Sequence, residues 1–149
     1  MGSDDRFLAQ LREVFRAEAA EHVQGLVQGL MALEAPAAGV DVRAIRDEIY
    51  RLAHSLKGSA RAVDRPDIEG ICQALESVLA AWRRGVLAAA PEAFDVLLRA
   101  VDAVGRRVED AESDVDLSAL SREMLGLLAG AAPAPPAPAA AQGDSAQPE

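Results

Sequence analysis

Apolar residues recur at intervals of three and four positions along most of the chain, which is the spacing of helices that bury one face. Prolines, glycines and polar turns interrupt this pattern and divide it into five segments. The segments predict helices over residues 4–34, 41–63 and 66–84, a fourth helix that opens at Pro91, and a short fifth helix over residues 117–128. The pattern therefore indicates an all-α protein.

The first predicted helix has the longest apolar stripe. Ser3 or Asp4 is expected to cap its N-terminus. His22 and Glu18 lie one turn apart beside the stripe, where a local ion pair or hydrogen bond would account for them. The expected core positions are Phe7, Leu8, Leu11, Phe15, Ala19, Leu26, Leu30 and Leu33.

His54 is predicted to lie on the outside of the second helix. At about 100° per residue it falls roughly opposite the middle of the apolar stripe. That stripe consists of Ile45, Ile49, Leu52, Leu56, Ala60 and Val63, and Asp41 is the expected cap. Since a histidine satisfied in the core would lie among these residues, the sequence places His54 away from the packing face of its own helix.

Two unusual residues follow His54 at a distance of one helical turn. Lys57 is the only lysine among 15 basic residues, and a compact ammonium group suits a phosphoryl oxygen. Gly58 lies in mid-helix, where glycine costs about 1 kcal/mol relative to alanine. Open space beside His54 for an approaching partner and close packing of another helix both explain such a glycine.

The third predicted helix carries Gln73 and Glu76 on the flank of its apolar stripe. A flank residue in a bundle faces the solvent edge of the neighbouring helix, so Glu76 is a candidate to reach His54. A solvated glutamate is the alternative. Cys72, on the apolar side, is expected to be a small buried hydrophobe, because a single cysteine can form no internal disulfide.

Composition and charge exclude several classes of function. Hydrophobic residues make up 50% of the chain but aromatic residues only 3%, which favours closely packed helices over a β sandwich. The net charge of -9 argues against nucleic acid as a partner, whose phosphates would be repelled. No stretch of about 20 apolar residues is present to span a membrane, and the N-terminus lacks the features of a signal peptide. A cytoplasmic protein is expected.

The helices and the C-terminal segment differ in composition. Residues 1–130 contain all the periodic segments and are expected to form one helical domain. Residues 131–149 are mostly alanine, proline and glutamine without apolar periodicity, which is typical of a linker or a disordered tail. A linker would indicate that the chain is a piece of a longer protein.

His54, Glu76 and Lys57 together have the chemistry of a phosphoryl acceptor. A histidine that accepts a phosphoryl group needs one exposed, neutral imidazole nitrogen. Its other ring nitrogen should donate a hydrogen bond that fixes the tautomer, and a cation should lie near the phosphoryl charge. The sequence has no phosphate-binding glycine loop and no clustered carboxylates for magnesium. We therefore expect this chain to bind no cofactor and no metal. By itself it would not act as a kinase, and we expect another domain to supply the catalytic machinery.

Three short segments carry a family resemblance, one of them the run FRAEAAEH at residues 15–22 of the first helix. The run AHSLKGSA at residues 53–60 and the run QALE at residues 73–76 resemble histidine-containing phosphotransfer (HPt) domains. The similarity is greatest to the N-terminal phosphoacceptor domain of chemotaxis-type (CheA-like) histidine kinases, and it extends over residues 5–128.

The resemblance implies an antiparallel four-helix bundle with an additional short C-terminal helix. It implies that His54 is phosphorylated on Nε2 by the ATP-binding domain of a histidine kinase. The phosphoryl group then passes to an aspartate of a response-regulator receiver domain, which brings its own magnesium. In this scheme Lys57 is the charge partner and Glu76 the carboxylate that fixes the tautomer.

Gln73 departs from the family pattern, because members often have a second histidine at that position. A glutamine can form hydrogen bonds but cannot titrate. The rate of transfer is therefore open, and a helical docking or scaffold domain that has lost phosphotransfer is the alternative hypothesis. Lys57 and Glu76 argue against that alternative.

Overall fold

A computed structural model describes residues 2–88 and 90–130, and all regular structure in this part of the chain is helical. The helices are α1 (Ser3–Glu34), α2 (Val42–Ala62), α3 (Pro66–Arg83), α4 (Pro91–Glu109) and α5 (Leu117–Gly130). The prediction of an all-α protein with five helices is confirmed, and the predicted helix ends agree with the structure to within two residues.

The first four helices form an antiparallel bundle, and α5 packs against α3 and α4. Contacts between opposite ends of neighbouring helices show the direction of each pair. Arg61 at the end of α2 bonds Glu69 at the start of α3 over 2.6 Å. Arg16 in the first half of α1 bonds Glu109 at the end of α4 over 3.4 Å. The expected architecture, a four-helix bundle with one additional helix, is therefore confirmed.

Two glycines let α1 approach α2 closely. A Cβ atom built on Gly29 would lie 2.3 Å from Cγ2 of Ile49, and one built on Gly25 would lie 2.8 Å from Cδ1 of Leu52. At Gly29 a methyl group would overlap the β-branched Ile49, whereas at Gly25 it would displace the end of the flexible Leu52 side chain. The close packing fixes the rotation of α2 and thereby the direction in which its opposite face points.

The core runs through the whole bundle and is made mainly of aliphatic side chains. Trp82 is the largest of its fully buried members, and Cys72 is completely buried, as predicted. Burial raises the pKa of the Cys72 thiol to about 12, with a smaller contribution in the same direction from the nearby Glu76 carboxylate. The thiol is therefore protonated at neutral pH and unreactive as a nucleophile.

The prediction for the N-terminal part of α1 was wrong. Phe7, Leu8 and Leu11 are 59%, 45% and 36% exposed, and the first buried side chain of the helix is Phe15. The physical reason is length, because α1 has 32 residues whereas α2, α3 and α4 have 21, 18 and 19. At about 1.5 Å per residue its first turns extend past the helices that cover the rest of it.

The helix ends follow the sequence signals with one exception. The Asp41 carboxylate accepts the N–H of Ala44 at 3.1 Å and caps α2 as expected. Asp64 turns the chain after α2 with a φ of 59°, immediately before the segment that opens α3. At α1 the prediction of Ser3 or Asp4 as cap was wrong, because the helix already begins at Ser3 and Gly2 precedes it without a side-chain cap.

Within residues 2–88 and 90–130, no helix combines the length and the apolar character needed to cross a bilayer. The last described helix, α5, ends at Gly130, and the division of the chain into a helical domain over residues 1–130 and a separate segment stays a prediction. The predicted linker or tail, residues 131–149, lies outside the described residues.

Candidate functional site

His54 projects from the exposed face of α2. Its side chain is 63% exposed, whereas Ala53 and Leu56 on either side of it are completely buried. The prediction from helical periodicity, that the imidazole lies opposite the packing face, is confirmed. The ring is therefore accessible to a second molecule in the folded protein.

Glu76 of α3 is hydrogen-bonded to the His54 ring. Nδ1 of His54 lies 2.5 Å from Oε2 of Glu76, across the groove between α2 and α3. The carboxylate is nearly buried, with a side chain that is 10% exposed. Because a carboxylate accepts, Nδ1 carries the hydrogen and Nε2 keeps its lone pair. The alternative of a solvated glutamate is excluded by these contacts.

Lys57 completes a compact polar cluster. Its ammonium donates to Oε1 of Glu76 and to Oε1 of Gln73 at 3.1 Å. The side-chain amide of Gln73 is also 3.5 Å from the Ser77 hydroxyl. The structure thus brings all four predicted site residues together, and it places Gln73 against Lys57.

The cluster keeps Glu76 ionised although the residue is buried. Burial by itself would raise the pKa of the Glu76 carboxyl, but hydrogen bonds from Lys57 and His54 and the charge of Lys57 outweigh it. The resulting pKa lies below the ordinary value of 4.5. A full negative charge therefore stands beside the imidazole at neutral pH, where it can stabilise positive charge that develops on the ring.

Gly58 lies beside His54 and faces open space. A Cβ atom built at this position would meet no other group within 4 Å. Close packing of another helix, one of the two explanations of this glycine, is therefore excluded in the bundle itself. The remaining explanation is room for a partner next to the imidazole.

Tyr50 is a part of the site that the sequence prediction did not include. Its ring is nearly parallel to the His54 ring, at 14° between planes and 6.4 Å between centroids. The guanidinium of Arg83 lies 4.4 Å from the Tyr50 centroid. The signal was the spacing of four residues between Tyr50 and His54, which places two side chains on one helix face.

His22, the second histidine of the chain, has no contact with this site. The predicted ion pair or hydrogen bond with Glu18 was wrong, because Nδ1 of His22 is buried and has no hydrogen-bond partner. Within residues 2–88 and 90–130, no group of three or more His, Cys, Asp or Glu side chains is placed to hold a metal ion.

The arrangement makes one ring nitrogen a nucleophile. Nδ1 is committed to a buried carboxylate, while Nε2 has no hydrogen-bond partner among the described residues and belongs to a mostly exposed ring. Lys57 supplies positive charge within one turn of it. An electrophile that bears negative oxygens, such as a phosphoryl group, fits this combination of an oriented lone pair and a nearby ammonium group.

Comparison with protein families identifies the same region. A family model described as the Hpt domain matches residues 10–107, which include all four site residues. Chemotaxis protein CheA of Halobacterium salinarum is 31% identical over 106 residues, a segment that covers 70% of this chain and 15% of the relative. The gliding motility regulatory protein of Myxococcus xanthus is 34% identical over 119 residues, or 80% of this chain and 15% of the relative.

A solved structure has the same fold. It is the phosphorylated P1 domain of CheA3 in complex with CheY6 from R. sphaeroides, with a TM-score of 0.71 and 21% identity. The match covers 83% of this chain and 98% of that chain. The chain therefore corresponds to one complete domain of that structure and to about one-seventh of the length of its curated relatives.

Proposed function

Because the chain belongs to the Hpt domain family, we propose that it is a phosphorelay module in which His54 carries the phosphoryl group. The observation that carries the proposal is the 2.5 Å contact between Nδ1 of His54 and the nearly buried Glu76 carboxylate. This contact leaves Nε2 as the nucleophile on an exposed ring. A histidine that served only stability would have no need of such an outward lone pair.

In the first half-reaction, Nε2 of His54 attacks the γ-phosphorus of ATP bound to a histidine kinase domain. The bond from that phosphorus to the bridging oxygen breaks, and ADP leaves with the electron pair. The imidazole becomes positively charged as the N–P bond forms. Glu76 stabilises that charge because it accepts the Nδ1–H bond and remains ionised.

In the second half-reaction, a carboxylate oxygen of a receiver-domain aspartate attacks the phosphorus. The N–P bond breaks and its electron pair returns to Nε2, so the neutral imidazole is regenerated. The related solved structure holds a phosphorylated P1 domain together with CheY6. We assign a receiver domain of the same type as the acceptor for this chain.

Lys57 and Gln73 have supporting roles in this proposal. The Lys57 ammonium bridges Glu76 and Gln73, so it fixes the orientation of the carboxylate and supplies positive charge to the phosphoryl oxygens. Gln73 holds Lys57 and exchanges no proton, because an amide does not titrate near neutral pH. In this proposal, the position of the proton on the imidazole is therefore set by the His54–Glu76 pair alone.

The chain spans about 15% of the length of its curated relatives. We propose that it acts within a CheA-like histidine kinase of a chemosensory pathway, whose other domains bind ATP. The exchange would take place in the cytoplasm, where the kinase finds its nucleotide.

The two histidines of the chain provide a matched test. The protein is incubated with a CheA-type kinase core and labelled ATP, and acid-labile, base-stable phosphate is measured. We expect label on the wild type and on His22→Gln, and no label on His54→Gln. Label that survives His54→Gln, or an unlabelled wild type, would contradict the proposal. An unlabelled wild type that still binds the kinase would favour the docking-domain alternative instead.

A further inference from the structure

A cleft rich in arginine lies beside the His54 site and has no part in the mechanism above. It lies between the first half of α2 and the end of α3 and is lined by Arg43, Arg46, Asp47, Tyr50, Arg83 and Arg84. We call it the arginine cleft. Four of the 14 arginines of the chain are therefore gathered at one place on its surface.

The charge of the arginine cleft is opposite to that of the protein. Four guanidinium groups against one carboxylate give the cleft a net charge of +3 (4 − 1), whereas the chain as a whole carries -9. Arg83 is the one of these arginines that bonds a carboxylate, Asp47 at 3.0 Å. Arg43, Arg46 and Arg84 form no ion pair within the described part of the chain. The cleft therefore presents unneutralised positive charge to solvent.

Arg46 lies against an aromatic ring and forms no ion pair within the described part of the chain. Its guanidinium lies 5.9 Å from the Trp82 ring centroid, and its Nε is buried without a hydrogen-bond partner. Desolvating a cation without a carboxylate partner is costly. An anion brought by another molecule would offset that cost.

The cleft is continuous with the phosphoacceptor. Arg43, Asp47, Tyr50 and His54 follow one another at spacings of 4, 3 and 4 residues, which places them along one face of α2. Tyr50 belongs to both regions, since it lines the cleft and stacks near the His54 ring. From His54 to Arg43 the helix rises by about 16 Å, three turns.

We propose that the arginine cleft docks the acidic rim of the receiver domain that takes the phosphoryl group from His54. This inference rests on the proposed function. The acceptor in a receiver is a carboxylate, and the magnesium that it requires is bound by further carboxylates. The protein surface around that acceptor is therefore acidic, and it must come against α2 when the aspartate reaches Nε2.

The extent of the cleft favours a protein surface over a nucleotide. The phosphates of ATP would converge on Nε2 itself, because the γ-phosphorus must reach that atom. Of the unpaired arginines, Arg43 and Arg46 instead lie about two to three turns of α2 away from His54, and Arg84 lies at the end of α3. Charge at such a distance acts mainly on the rate of encounter and on the choice of partner.

The test compares two double variants with the same change in net charge. Arg43→Gln/Arg84→Gln removes two exposed arginines of the cleft, and Arg12→Gln/Arg122→Gln removes two exposed arginines elsewhere. Each protein is phosphorylated by a CheA-type kinase core. The second-order rate of transfer to a CheY-type receiver is then measured at about 50 mM and about 300 mM salt.

We expect the cleft variant to transfer about tenfold more slowly than the wild type at low salt, with the difference shrinking at high salt. The control variant should stay within about twofold of the wild type, as should the rate at which the kinase labels each protein. Equal losses in both variants, or an unchanged transfer rate in the cleft variant, would overturn the inference.

A fall in kinase labelling as large as the fall in transfer would also overturn it, and would assign the cleft to the donor instead of the receiver. Failure of the proposed function gives a different result, because the wild type itself would then accept no label. That outcome would contradict both the proposed phosphotransfer by His54 and the docking inference that depends on it.

Discussion

The face of α2 that packs into the bundle and the face that carries His54 differ in every physical respect. On the inner face, Ile49 and Leu56 are 1% and 0% exposed, and the glycines of α1 bring the backbones together. On the outer face, His54 is 63% exposed and Gly58 meets nothing within 4 Å. One helix therefore serves two purposes, and the rotation set by the inner face decides what the outer face presents.

The comparison shows which measurements should separate the two faces. Substitutions on the inner face should change the free energy of unfolding and leave the chemistry of the imidazole intact in the folded fraction. Substitutions around His54 should change the rate of phosphotransfer and should alter the free energy of unfolding less than truncation of the inner face does. The predictions below test that division, beginning with the largest effect.

Leu56→Ala should produce the largest loss of stability. Leu56 is completely buried, and truncation of a buried leucine costs about 2–5 kcal/mol in lost burial and cavity formation. The adjacent Ser55→Ala, on the exposed side of α2, should change the unfolding free energy by less than about 0.5 kcal/mol. Urea unfolding at neutral pH measures both. Similar losses in the two variants would show that the faces are not distinct.

Glu76→Ala should slow phosphorylation of His54 while the bundle remains folded. Without the carboxylate, the ring hydrogen is free to move to Nε2, which blocks the nucleophile, and the charge on the phosphorylated ring loses its partner. Loss of a hydrogen bond to a charged group costs about 1.5–3 kcal/mol, which corresponds to about 10–150-fold in rate. Initial rates of labelling by the kinase core measure the effect.

Gln73→Ala is the matched control for that variant. Gln73 contacts Lys57 and lies on the same helix face as Glu76. Its removal should lower the rate by no more than about threefold, because Lys57 keeps its bond to Glu76 and the imidazole keeps its carboxylate partner. Equal rates for wild type and Glu76→Ala would refute the role of the carboxylate in fixing the tautomer.

The sequence was sufficient to predict which residues gather around His54 but not what surrounds that group. The direction of His54 follows from periodicity alone, because the apolar stripe of α2 is regular and the opposite face is unambiguous. Glu76 was a candidate because a flank position faces the neighbouring helix. Periodicity cannot tell whether such a side chain crosses the groove, which depends on the separation of the helices and on Lys57.

Two features depend on properties of the assembled bundle and escaped prediction for that reason. The apolar stripe of α1 continues to Phe7 with the same spacing. Burial of that part of the stripe would require another helix beside it, and the neighbouring helices do not reach that far because α1 is longer. The arginine cleft unites residues from α2 and α3 that are about 40 positions apart. Neither helix has an unusual charge pattern when its sequence is considered by itself.

Alanine at two glycines should have opposite effects on stability. At Gly29 the new methyl group would lie 2.3 Å from Ile49, and such overpacking costs about 1–3 kcal/mol. At Gly58 there is open space, so the variant should gain the helical preference of alanine, about 1 kcal/mol. Thermal or urea unfolding of both variants gives the signs directly. A stabilised Gly29→Ala would contradict the close approach of α1 and α2.

Gly58→Ala carries a second expectation on the outer face. If the open space serves an approaching partner, the more stable variant should nevertheless be phosphorylated more slowly than the wild type, because the methyl group stands one turn from His54 on the approach side. A gain in stability with an unchanged labelling rate would show that the space beside the imidazole is not used by the kinase.

The smallest expected effect is a change of stability with pH. The Glu76 carboxyl has a folded-state pKa below its ordinary value of 4.5, so ionised Glu76 contributes stability at pH values above 4.5, and this contribution is lost as the pH falls through the depressed pKa. The unfolding free energy of the wild type should therefore exceed that of Glu76→Gln most at neutral pH. The difference should narrow steadily below pH 4.5.

Glu48→Gln is the control for this comparison, because Glu48 lies on the exposed face of α2 and bonds Arg51 at 2.7 Å with a side chain that is 57% exposed. An exposed pair of this kind contributes at most about 1 kcal/mol, so its removal should displace the unfolding free energy little at any pH. If the curves of wild type and Glu76→Gln run parallel through the acidic range, then Lys57 and His54 do not hold the carboxylate in its ionised form. The charge assigned to it in phosphotransfer would then have to come from elsewhere.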